Sequence, residues 1–171
     1  MGEVVEQSTQ PALGAIKLAW WRERLEELDQ GKAPAEPRLQ AAAAELLPRG
    51  LSGKDLAGLE DGWLATLEQP IDVHRAVGRG AILFGLAAQL LGNSAADLTK
   101  AGWLYARGDL KRRRLMSTSS EDPSIHSSIP VQLRRLTGLA ALAKRDLSRR
   151  EPEGTPGRAW TLLRHRLTGR I

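Results

Sequence analysis

The run ALGAIKLAWWRERLEELD, Ala12 to Asp29, most narrows what this chain can fold into. Leu13, Ile16 and Trp20 share one stripe, and Leu18, Trp21, Leu25 and Leu28 form an adjacent one. Spacings of three and four are helical, because such residues meet on one helix face whereas strand residues alternate sides. Gly31 stops the run, and a proline-bearing loop, 31–37, follows.

The rest of the chain repeats this grammar. A second helix is predicted over Arg38–Leu47, with Pro37 at its first turn and Pro48–Gly50 beyond its end. A third opens at Ser52, with Asp55 three residues on as a capping partner, and lasts until Pro70. A fourth covers Val73–Leu91. It is apolar on most sides after Gly80, as a buried central helix would be, and Gly78 and Gly85 offer places for neighbouring backbones to approach. Ser94 with Asp97 predicts the start of a fifth, lasting to Arg114. A sixth covers Pro130–Leu147, and a seventh runs from Thr155–Pro156 to Gly169. Residues 1–10, 115–128 and 148–154 read as loop. No segment alternates like a strand, and no internal repeat is visible. The expected class is all-α, one domain over 1–171 with about seven helices.

Composition narrows the function classes. With 42% hydrophobic and 26% charged residues, the chain reads as globular rather than disordered. It has no cysteine, which excludes disulfides, thiolate metal sites and a cysteine nucleophile. The longest apolar stretch, 80–91, contains Gln89 and is too short to span a bilayer. No basic segment followed by an apolar run marks a secretory signal, so a cytoplasmic location is expected, with peripheral contact at a membrane surface as an option. Charge is uneven. Residues 1–99 hold 9 basic and 14 acidic groups, and residues 100–171 hold 16 basic and 6 acidic ones. A basic half suggests an anionic partner, or else only a solvated arginine-rich surface.

Several segments resemble the squalene/phytoene synthase family. The likeness rests on ALGAIKLAWWRERLEELDQG, the proline-containing loop after it, and AAAAELLPRGLSGKDLAGLEDGW, in which Gly50, Leu51, Asp55, Leu56, Glu60, Asp61 and Gly62 match the family pattern. LAAQLLG, Leu86 to Gly92, is similar to the family's next core helix. The chain is also similar to the mitochondrial complex I assembly factor built on that fold. The resemblance implies a truncated isoprenoid-synthase-like bundle around an apolar cavity. In the family, two aspartate-rich motifs at the mouth hold magnesium, which holds the substrate diphosphates.

This chain departs from that chemistry. No two of its aspartates lie closer than six positions. Where the second motif should fall stand Arg107, Gly108, Asp109, Lys111, Arg112, Arg113 and Arg114. Asp109 is then a remnant of a metal-binding pair. Arg107 and Lys111–Arg114 become candidate anion-binding residues for a diphosphate or an anionic headgroup. Equally, a basic helix end is favourable against the macrodipole alone. Glu23 and Glu27 stand four apart but interleave with Arg22 and Arg24, as on a solvated face, and Pro70 separates Glu68 from Asp72. His74, His126 and His165 have no metal-ligand spacing and read as structural or surface residues. The expected metal set is therefore empty, with no cofactor unless the chain is an active magnesium-dependent prenyltransferase. Trp20, Trp21, Trp63, Phe84 and Trp103 are candidates to line an apolar pocket or groove, although such residues more often fill a core. With 4% aromatics and no recognisable motif, no nucleic-acid partner is expected.

The leading expectation is a non-catalytic member of this kind, binding an isoprenoid-type lipid or a partner protein in the manner of an assembly factor. A second is a fragment of an active head-to-head prenyltransferase whose aspartates lie upstream of Met1. A third is a basic adaptor for anionic lipid or RNA.

Overall fold

The computed structural model describes residues 1–116, 129–149 and 151–171; the predicted loop at 117–128, with His126, lies outside them. Among the described residues every regular element is a helix and none is a strand, as the apolar periods require. The chain divides into two compact units, Met1–Arg79 and Gly80–Ile171.

The N-terminal unit begins with α1, Gly2–Glu6, in a stretch predicted to be loop. Val5 is buried, and Met1 packs against a cluster of Leu25, Leu28, Leu39 and Ala57. A helix of five residues is unstable alone, so burial rather than local propensity makes it, and sequence periodicity does not reveal it. The long helix α2, Pro11–Leu28, buries Leu18, Leu25 and Leu28 and leaves Leu13, Ile16 and Trp20 exposed. Of its two apolar stripes, only one joins this core. Helix α3, Pro37–Glu45, starts on Pro37 as predicted, with the Glu36 carboxylate accepting from Leu39 N–H at 2.9 Å.

The predicted Ser52 helix exists but is broken into α4, Gly53–Ala57, and α5, Glu60–Leu64. The break falls at Gly58–Leu59, where glycine weakens propagation. Ser52 and Asp55 form the reciprocal capping box. Asp29 adds a second cap, accepting from Gly53 N–H at 2.5 Å and Lys54 N–H at 3.0 Å. A side chain at Gly53 would run into the Leu25 carbonyl, so glycine there lets α4 lie directly on α2.

Helix α6, Val73–Leu90, contains the division between the units. In the C-terminal unit it buries Phe84 and Ala88 but exposes Ile82, Gly85 and Gln89, so it is covered on one face and is not the fully buried helix expected. Helix α7, Thr99–Arg112, starts five residues later than predicted. Ser94 does not open it; instead Asp97 Oδ1 accepts from Thr99 N–H at 3.0 Å. Helices α8, Arg134–Ser148, and α9, Pro156–Thr168, follow, and α9 ends on Gly169 at φ +68° as its stop signal requires.

The close approaches are not where Gly78 and Gly85 suggested. A Cβ at either would meet nothing within 4 Å. The contact is made by Gly80 and Gly102, each of which lies against the other's carbonyl, joining α6 to α7. Gly108 plays the same part against Ala143, joining α7 to α8. Phe84, Leu98, Leu104, Leu133 and Leu147 fill the space these approaches close.

Candidate anion-binding site

The C-terminal end of α7 meets the C-terminal end of α8 and the start of α9 around a cleft of about 740 Å³. Lys111, Arg112, Arg114, Arg149 and Arg158 line it, against Asp146, Glu151 and Glu153. The local excess is therefore cationic. The structure thus brings together three of the predicted basic residues. It also brings in Arg149 and Arg158, which no local spacing connects to them. Arg107 is buried at 8% exposure and does not line the cleft, nor does Arg113.

Two buried carboxylates hold the cations in place. Asp109, 7% exposed, accepts from Arg113 Nε with both oxygens, at 3.0 and 3.1 Å, and lies 3.9 Å from Arg112. Asp146, 9% exposed, takes Arg158 on one oxygen and Arg112 at 3.3 Å on the other. Arg112 thus links the two acids and ties α7 to α8, while Arg158 ties α9 to the same point. Lys111 Nζ donates to the Leu147 carbonyl at 2.6 Å. Beside this, Arg145 grips Glu151 through two bonds of 2.8 and 2.7 Å, and that guanidinium holds the Glu151 carboxyl below its ordinary range.

The backbone at Arg114 is the unusual element. It adopts φ +59° at the end of α7, with its N–H on the Lys111 carbonyl and Leu115 N–H on the Leu110 carbonyl. This is a Schellman ending, whose left-handed position glycine ordinarily fills. A side chain there costs about 1–2 kcal/mol. Among the described residues the Arg114 side chain has no ion-pair partner, and it is exposed along the cleft.

Magnesium, the ion the resemblance implies, needs free carboxylate oxygens. The two buried acids beside this cleft do not fit it: Asp109 and Asp146 each face two guanidinium groups. Among the described residues no three histidine, aspartate or glutamate side chains gather into a group that could hold a metal. The acid pairs weighed from the sequence are engaged as well: Glu23 lies 3.7 Å from Arg24, and Asp72 accepts from Arg75 N–H at 3.1 Å. Arg75 donates to Asp61 at 2.5 Å and to Glu68 at 2.6 Å, and Arg24 pairs with Glu27 at 2.9 Å.

The five aromatic candidates divide between the units. Trp20 and Trp21 meet edge-on at 5.3 Å, with Trp20 exposed and Trp21 packed on the α2 cluster. The Arg79 guanidinium sits 3.8 Å over Trp63. Phe84 is fully buried and 5.5 Å from Tyr105, so it fills the C-terminal core rather than lining an open groove. Trp103 is half-buried on α7. His74 is exposed. His165 is buried, with Nδ1 2.9 Å from the Arg170 carbonyl and Nε2 2.8 Å from the Thr137 hydroxyl, a clamp between α8 and α9.

No helix of the described residues is long and apolar enough to cross a membrane. No protein-family model, no curated protein and no solved structure matches this chain.

Proposed function

We propose that this chain is a non-catalytic binding module that takes the phosphate end of an anionic ligand into the α7–α8–α9 cleft. The carrying observation is Arg114: a side chain is kept, at a stability cost, in a conformation that suits glycine, and it is set on a cation-rich cleft. Guanidinium groups suit this task because their fork of donors matches phosphate oxygens. Arg112 and Arg158 are already oriented by Asp146, so little side-chain freedom is lost when an anion arrives. The likeness to squalene/phytoene synthases nominates an isoprenyl diphosphate as the ligand. Cations would meet the diphosphate directly, with no ion between protein and phosphate.

Titration with inorganic pyrophosphate and with farnesyl diphosphate tests this reading. Both should bind, and both should weaken as salt is raised, because the contact is charge on charge. Absence of binding, or binding indifferent to salt, would refute the site. Prenyl transfer from farnesyl diphosphate in the presence of magnesium would refute the non-catalytic reading.

A further inference from the structure

One face of α9 carries an exposed apolar stripe flanked by arginines. The helix packs on α8 through buried His165, and Leu162 lies where a side chain at Gly138 would meet it. The opposite side carries Trp160, Leu163 and Leu167, which are 63%, 47% and 69% exposed. Their spacings of three and four put them in a single stripe along the helix. Arg164 falls on one side of that stripe and Arg166 on the other, both exposed, and Arg170 follows just past the end. The helix contains no acidic residue.

This face is held rigid. Arg134 donates to the carbonyls of Arg166 and Leu167 at 3.0 and 2.8 Å, closing the last turn of α9. The His165–Thr137 contact fixes its middle. The exposed stripe therefore belongs to an ordered, anchored helix. The basic surface continues next to it, where Arg135, Arg166 and the exposed Val131 line one concavity.

We infer that α9 docks on an anionic phospholipid surface, with Trp160, Leu163 and Leu167 entering the headgroup–acyl boundary and Arg164 and Arg166 reaching the phosphates on either side. The distribution matches what that boundary asks of a helix: an amphipathic ring and aliphatic groups in one stripe, with cations whose stems lie along apolar surface and whose heads stay wet. A second copy of this chain is a poor occupant, because pairing the stripe with itself opposes arginine to arginine. A nucleic acid would use the cations but leave both leucines unmatched. The inference does not depend on the cleft, whose residues the test leaves intact.

The test is co-sedimentation of the whole chain with vesicles of phosphatidylcholine alone and of equal parts phosphatidylcholine and phosphatidylglycerol. The protein should partition onto the anionic vesicles, with a blue shift of tryptophan emission that Trp160→Phe abolishes. Arg164→Glu with Arg166→Glu should lower partitioning by about tenfold or more, since each basic group near such a surface contributes roughly a tenfold factor or somewhat less. Leu163→Ser with Leu167→Ser should lower it comparably while leaving the circular dichroism spectrum unchanged. Equal binding to neutral vesicles, or binding untouched by both double variants, would overturn the inference. So would a dimer in solution that the leucine variant dissolves.

Discussion

The two units weight their carboxylates differently. In the N-terminal unit most of the engaged acids finish helices: Asp29 and Asp55 cap α4, Glu36 caps α3, and Asp72 Oδ1 accepts from Arg75 N–H at 3.1 Å at the start of α6, beside the exposed pairs that Arg75 makes with Asp61 and Glu68. In the C-terminal unit Asp97 caps α7, but the buried acids hold arginines: Asp109 and Asp146 each face two guanidinium groups, and Glu151 faces Arg145. A cap satisfies backbone groups beside it in the chain and stabilises one helix end. A carboxylate between arginines from separate helices fixes a tertiary arrangement and keeps positive charge concentrated. The first use builds a fold; the second also leaves a surface on which cations outnumber acids.

The largest expected effect tests the close helix packing inside the C-terminal unit. Gly102→Ala should destabilise by about 3 kcal/mol, since its new carbon would displace the Gly80 backbone. Gly85→Ala, with open space around it, should stabilise by about 0.5–1 kcal/mol through helix propensity. Denaturant midpoints compare the two, and similar values would break the assignment of the close contact.

The next effect separates the two carboxylate uses. Asp146→Asn should cost about 2–3 kcal/mol, less than a fully buried pair because Arg112 is partly solvated. Asp29→Ala should cost about 1 kcal/mol, the ordinary worth of a cap. If urea melts rank them the other way, the C-terminal network is decoration.

Acid should weaken both units by a smaller increment. The Ser52 hydroxyl holds the Asp55 carboxyl below its ordinary range, Arg75 does the same for Asp61, and Arg145 for Glu151. Lowered folded values mean that the unfolded chain takes up protons first as pH falls. Their contribution is complete above the ordinary carboxylate range, near pH 4, and is lost as pH drops through the lower folded values. Thermal midpoints measured from about pH 6 to about pH 3 should therefore be level and then decline; a midpoint that rises on acidification would contradict the pairings.

What could be read in advance was what neighbouring residues decide. Pro37, the Ser52–Asp55 box and the stops at Gly31 and Gly169 act within one turn, and the helices begin or end at them. What could not be read depends on where a distant helix lands. Gly78 and Gly80 are two positions apart on α6, and only the arrival of Gly102 makes the second indispensable. α1 exists through burial of Val5, which no five-residue pattern announces. The site divides likewise. The run Lys111–Arg114 was plain, but Arg149 and Arg158 join it only because α8 and α9 return to the same end. The strain at Arg114 was hidden altogether, since a left-handed backbone leaves no mark when the residue is not glycine.

The most direct test of the anion-binding account is Arg114→Gly, followed by stability and pyrophosphate affinity in the same preparation. Relief of the left-handed strain, about 1–2 kcal/mol, offset by the extra backbone freedom that glycine loses on folding, about 0.5–1 kcal/mol, predicts a protein about 0.5–1 kcal/mol more stable. Loss of one cleft cation predicts that this more stable protein binds pyrophosphate several-fold more weakly. A variant that gains stability and keeps full affinity would show that Arg114 serves no ligand, and would contradict the central claim.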